Sequence, residues 1–238
     1  MAKIVGLSRP IKIEWLNKTV ELVMMGKTEE EIKNELNEYL SFEITSPTNL
    51  RKTREILLSI WVKTADEIQT IKKVALSIFE NENENDNVIK LSIHWCMILL
   101  AYPVFSDVCS LIGKLTDIQE TFTTAWLKQK LFDIWGERST LLHSIDKILQ
   151  TLKYIGAIEN TKKGEYKVIS RNITDDNVKS LIILTIMAMK NKAYYEISEL
   201  SDSPQLFPFK YSISHELLHN SDLFTLNNFG GKIVLTSE

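Results

Sequence analysis

The sequence predicts a mainly α-helical chain, with a multi-helical N-terminal domain followed by winged-helix-like units that carry short β-hairpins. Three observations lead there. Apolar residues recur at helical spacing along most of the chain. A polar run, NENENDN at 81–87, contains no apolar residue to anchor it to a core and marks a boundary. Residues 120–172 then read as helix, tight turn, helix and hairpin, the order of a winged helix-turn-helix.

The first helix is expected over residues 13–25, where Trp15, Leu16, Val20, Val23 and Met24 share a face, and Gly26 stops it. Thr28 followed by Glu31 is a capping box, in which hydroxyl and carboxylate satisfy each other's orphan amides, and Ile32, Leu36 and Leu40 follow on one side. Ser46 and Pro47 supply an N-cap and a pre-set φ for a third helix through Leu57, Leu58 and Trp61. Residues 66–80 read as a fourth. After the polar run, residues 88–102 are apolar nearly all round, which marks a buried central helix, and Pro103 breaks or kinks it.

The next stretch is richer. One helix carries Trp126, Leu127, Leu131, Ile134 and Trp135; Gly136 and Ser139 give a turn and a cap; a second helix, 139–154, carries Leu142, Ile145, Leu149 and Leu152. Residues 157–158 and 166–169 can pair as strands across a loop whose Gly164 permits positive φ. Helices over 177–189, 194–200 and 212–220 and a terminal hairpin read as a second winged unit or as an α-helical lobe ending in a hairpin. The expected domains are therefore 1–80, 88–172 and 173–238.

Composition bounds the function. With 44% hydrophobic and 25% charged residues the chain can bury a substantial core, and five Pro, eight Gly and two Cys exclude collagen-like, Pro-rich and disulfide-stapled classes. A net charge of -3 gives no whole-protein attraction to nucleic acid or anionic lipid, so binding must come from a local basic face. The N-terminus lacks the apolar core of a signal peptide, and the longest apolar stretches fall short of a membrane span, so a cytoplasmic protein without a membrane partner is expected.

That local face is expected on the helix at 139–154 and the hairpin after it. From Glu137 to Arg171 seven positive side chains stand against four negative ones. Arg138, Lys147, Lys162, Lys163 and Lys167 are candidates to hold DNA phosphates, while Thr140, His143 and Ser144 could approach bases. Arg51, Lys52 and Arg54 form a second basic cluster at a helix start, readable as phosphate contacts or as the wet side of an amphipathic helix. Winged helices also dock proteins, so an adaptor that binds no nucleic acid is the competing expectation.

Enzymatic motifs are weak. His215-Glu216-Leu217-Leu218-His219 matches HExxH, which on a helix aligns two imidazoles for zinc, yet Asp222 and Glu238 are the only ionisable oxygen ligands after it, so no metal is assigned. No GxSxG, GxGxxG or GxxxxGK[ST] occurs, and no cofactor or catalytic residue is assigned. His94, Cys96, Cys109 and the five tryptophans fall on apolar faces and read as core.

Leu22-Val23-Met24-Met25-Gly26, then Lys27 to Lys33, then Ser46-Pro47-Thr48 leading to Arg51 and Arg54, resemble the N-terminal signature of BrxA proteins of BREX bacteriophage-exclusion systems. Leu152-Lys153-Tyr154-Ile155-Gly156-Ala157-Ile158 is similar to their middle region. The resemblance implies a mainly helical, non-enzymatic member of a phage-defence gene cluster, with likeness to the helical RNA-binding antitermination factor NusB. It would bind duplex DNA or RNA and act beside a DNA methyltransferase and other proteins of the system.

Overall fold

The computed structural model describes residues 6–81, 87–219, 221–229 and 232–236; the centre of the polar run, 82–86, lies outside them. The fold is mainly helical, with short strands in small sheets. The N-terminal helices are α1 (Ile13–Met24), α2 (Glu29–Ser41), α3 (Pro47–Trp61) and α4 (Gln69–Asn81). The local signals hold: the Thr28 hydroxyl accepts from Glu31 N–H while the Glu31 carboxylate accepts from Thr28 N–H, and the Ser46 hydroxyl caps α3 ahead of Pro47.

Helix α5 (Asn87–Ala101) buries every residue from Leu91 to Leu99. No flank of that stretch faces water, because α1, α3, α4, α6 (Pro103–Thr116) and α9 (Asp176–Lys190) all pack on it. Pro103 cannot continue the α5 ladder, and Tyr102 before it is extended, so the chain turns by 117° into α6. One continuous apolar cluster runs from Leu7 to Leu235. Among the described residues no single helix is long and apolar enough to cross a membrane.

Strand β1 (Thr121–Thr123) follows α6, then α7 (Thr124–Trp135), α8 (Ser139–Tyr154), β2 (Ile158–Lys162) and β3 (Glu165–Val168). Both outer strands run antiparallel to β3, giving the sheet order β1-β3-β2. Strand β1 is absent from the sequence expectation. It exists because Phe122 sits opposite Tyr166 and stacks on it at 5.5 Å, a pairing no local pattern announces.

After β4 (Arg171–Asn172) the same order returns. Helix α9 is followed by β5 (Tyr195–Glu196), α10 (Ile197–Ser201), β6 (Phe209–Lys210), α11 (His215–His219), β7 (Thr225–Phe229) and β8 (Lys232–Thr236). The sheet order is β5-β8-β7, the counterpart of β1-β3-β2. The expected helix at 194–200 is a strand and a short helix, and the one at 212–220 shrinks to five residues.

What separates this unit from the first is an insert between α10 and α11. Its strand β6 pairs parallel with β4, and a 3-10 turn at Pro204–Leu206 lies along α6. Gly113 makes that approach possible, since a Cβ there would lie 2.1 Å from the Pro204 carbonyl oxygen. The Trp95 indole N–H donates to the Gln205 carbonyl at 2.9 Å, and its ring meets Phe105, Phe207 and Phe209 edge-on.

Candidate nucleic-acid interface

Helix α8 begins at Ser139 as expected, but Ser139 is its first residue and does not cap it; Arg138 is the N-cap and makes no side-chain bond to the helix amides. It buries Leu141, Ile145, Ile148, Leu149 and Leu152. Two further positions on it are also buried, Ser144 and Thr151, and for Ser144 this departs from expectation. Ser144 does not face a ligand: it is 2% exposed and its Oγ donates to the Gly6 carbonyl at 2.5 Å.

The cause is the segment that precedes α1. Residues 6–11 lie across α8 as a strap, with Leu7 and Ile11 driven into the core. An irregular segment entering a core must find partners for its own amides and carbonyls. Ser144 serves Gly6, and Thr151 Oγ1 accepts from Ile11 N–H at 3.1 Å while donating to the Lys147 carbonyl. Gly6 adopts φ +62 against the face of Tyr102, where a Cβ would come within 2.7 Å of the ring.

Of the candidates on α8, Thr140 and His143 stay exposed and Lys147 is half-buried, beside exposed Asp146, Gln150 and Lys153. His143 Nε2 lies 3.2 Å from the Ser8 carbonyl and 3.2 Å from Arg9 Nη1. Lys147 donates to Gln150 Oε1 at 3.2 Å. Arg138 is half-buried, its guanidinium 5.8 Å from the centre of the Trp135 ring.

On the wing, the expected common display of lysines is largely cancelled. Lys162 pairs with Glu165 at 3.0 Å and Lys167 with Glu159 at 2.8 Å. The bond from Lys162 holds the Glu165 carboxyl below its usual range, and the bond to Glu159 raises Lys167. Lys163, at the turn, is exposed. Arg171 is no surface cation either: it clamps the base of the hairpin through the carbonyls of Gly156 and Ile169.

The α3 cluster also divides. Arg54 is tied into the α2–α3 seam, donating to Asn37 Oδ1 at 2.9 Å and to Glu55 at 2.8 Å. Arg51 is exposed and Lys52 half-buried. Between this end of α3, α1, the strap and α8 lies a cavity of about 400 Å³, lined by Arg9, Trp15, Ile44, Asn49, His143 and Lys147. A second cavity, about 360 Å³, lies between α8 and β3 and includes His143, Lys147, Gln150, Lys153 and Tyr166. His143 and Lys147 stand on the crest between the two.

Arg9 is the residue that sequence reasoning missed. Its Nε donates to Asn49 Oδ1 at 2.9 Å and its Nη1 to the Ser8 carbonyl at 2.5 Å. Nothing near it in sequence signals a meeting with His143, 134 residues away.

The remaining candidates are placed elsewhere. His215 and His219 are exposed on α11 with Leu217 and Leu218 buried between them. Among the described residues no three His, Cys, Asp or Glu side chains gather in a metal-holding group, and Glu238 lies outside those residues. His94 is fully buried, with Nε2 2.8 Å from Asn17 Oδ1 and Trp61 and Phe79 edge-on; burial pushes its pKa down to about 3 and keeps it neutral. Burial likewise pushes the Cys96 thiol up to about 12 and raises Cys109. Trp15, Trp61, Trp95 and Trp135 are buried, and Trp126 packs half-buried on the core.

The element order and the sheet order describe a helical protein with two units of winged-helix topology, one of them carrying an insert. The chain matches no protein-family model, no curated protein and no solved structure.

Proposed function

We propose that this chain is a non-enzymatic, duplex-DNA-binding component of a bacterial phage-defence system, acting in the cytoplasm with other proteins of that system. The setting comes from the resemblance to BrxA proteins. The binding reading rests on one observation, the outer ridge of α8, where exposed Thr140 and His143 and half-buried Lys147 stand between two cavities. A helix is about 10–12 Å across and a B-DNA major groove about 12 Å wide, so a ridge of this kind can enter it. Thr140 and His143 would meet base edges. Lys147 and the wing-tip Lys163 would meet phosphates, with half-buried Arg138 a further candidate at the helix start, whereas Lys162 and Lys167 must first leave their carboxylates.

The test is anisotropy with labelled duplex DNA, single-stranded DNA and RNA over a series of salt concentrations. Duplex binding that weakens linearly in log–log form with salt, and weakens further in Lys147→Glu, is the expected result. Absence of duplex binding at low salt overturns the reading, and preference for RNA replaces it with the NusB-like alternative.

A second reading, a protein adaptor, has its own support. The same winged unit exposes Ile118 (86%) and Ile134 (48%), and apolar side chains left in water beside cancelled wing charges suit a protein partner better than a polyanion. Loss of partner co-purification in Ile118→Asp, with no mobility shift on any nucleic acid, would favour it.

A further inference from the structure

We infer that the phosphate-gripping part of this surface lies on the strap side of α8, in the cavity of about 400 Å³, with Arg9 as its central cation. The inference rests on the duplex-binding reading and changes where on the first winged unit the backbone is held. The two flanks of α8 differ in how their cations are compensated.

On the wing flank three cations are spent on carboxylates, Lys162 on Glu165, Lys167 on Glu159, and Lys128 of α7 on Asp146 of α8 at 2.7 Å, while Lys153 and the wing-tip Lys163 stay exposed and are not held in a fixed geometry. On the strap flank Arg9 and Lys147 form no ion pair with a described residue. Glu43, which accepts from the lining Trp15 indole, is already paired with Lys12. Arg9 is held by the Asn49 amide oxygen and the Ser8 carbonyl, with the His143 ring 3.2 Å away and no carboxylate of a described residue paired with it. Those bonds fix the guanidinium plane while leaving its full charge unneutralised, which is the condition for a preorganised anion receptor.

The cavity matches the chemistry of a phosphodiester. Its rim carries Arg9, Lys147, His143 and Asn49 for the anionic oxygens, and Pro10, Trp15 and Ile44 give an apolar floor for the adjoining sugar edge. Three segments distant in sequence converge there, so the seat exists only in the folded chain. A phosphate group from the duplex backbone and a free phosphate share this chemistry, and the experiment separates them.

Salt dependence of duplex affinity is measured for the wild type, Arg9→Gln, Arg9→Lys, Asn49→Ala and, as a charge control in the second winged unit, Lys192→Gln, with urea unfolding to verify the fold of each. Arg9→Gln is expected to bind roughly tenfold more weakly, as for a lost charge-assisted hydrogen bond, and to lower the salt slope by about one phosphate. Arg9→Lys should keep the slope and recover only part of the affinity, because it retains the charge without the planar fork. Lys192→Gln should change neither. A wild-type slope in Arg9→Gln overturns the inference while the duplex reading stands. Should Arg9→Gln not fold, Asn49→Ala, which removes the partner of the Arg9 Nε and lines this cavity and not the wing-side one, takes its place: weaker duplex binding upholds the seat and wild-type affinity overturns it. If the wild type binds no duplex, the parent reading falls, and inorganic phosphate titrated while following the Arg9 Nε–H and Trp15 indole resonances decides the seat. Saturable shifts at both uphold it for free phosphate, and their absence overturns it.

Discussion

Ser144 and Gly6 stand 138 residues apart in sequence and are joined by a 2.5 Å hydrogen bond from hydroxyl to carbonyl. That bond is one of the ties that lay the strap over α8, and it decides which side of the helix remains available to a ligand.

The strap depends on a residue without a side chain. Gly6→Ala places a methyl group within 2.7 Å of the Tyr102 ring at φ +62, a conformation that L side chains rarely adopt. A loss of about 1–3 kcal/mol is expected in urea unfolding. If the strap were peripheral, the variant would unfold with the wild-type midpoint.

Gly113 offers a similar test in α6, whose N-cap is that same Tyr102. A Cβ at this position meets backbone, the Pro204 carbonyl oxygen at 2.1 Å, which cannot swing aside as a side chain can. Gly113→Ala should therefore cost more than the mild stabilisation that alanine normally brings to a helix interior, by about 2 kcal/mol or more. Equal or greater stability in the variant would show that the insert does not press on α6.

His94 gives a pH dependence. In the folded chain burial holds it near a pKa of about 3, whereas an unfolded histidine titrates near 6.5. Below about 6.5 the unfolded chain takes a proton that the folded chain refuses, so this contribution to stability is intact above that pH and declines as pH falls toward about 3. The slope is about 1.4 kcal/mol per pH unit once the unfolded ring is fully protonated. Urea titrations between pH 7 and 4 should show the decline in the wild type and one proton less of it in His94→Gln. Parallel curves would place the proton uptake elsewhere.

The two cysteines should be chemically silent in the native state. Both are buried and their thiols are held protonated by burial, so a thiolate-requiring reagent finds neither. Labelling with a disulfide-exchange reagent should proceed only after denaturant is added. Rapid native labelling of one thiol per chain would contradict the packing of α5 and α6.

Much of the local structure is legible in the residues alone. The Thr28–Glu31 box, the Ser46-Pro47 cap and the Gly164 turn each act within four residues, and each stands where its residues put it. Strand β1 is not legible, because three residues become a strand only by meeting Tyr166. The candidate interface is half legible. Thr140, His143 and Lys147 remain on the outside of α8, but Ser144 points to Gly6, Arg54 to Asn37 and Glu55, and two wing lysines to glutamates.

By itself the sequence determined α1 to α5 and α7 to α9 and which residues are apolar enough to build the core, since periodicity and capping act through neighbours along the chain; α6 and the short helices of the last third took their bounds from the fold. The tertiary structure alone decided which cations around α8 keep uncompensated charge, because that depends on Arg9 arriving from a strap 134 residues away from His143 and on carboxylates facing wing lysines across the sheet. Coulombic pairing falls off with distance in space and takes no account of distance along the backbone.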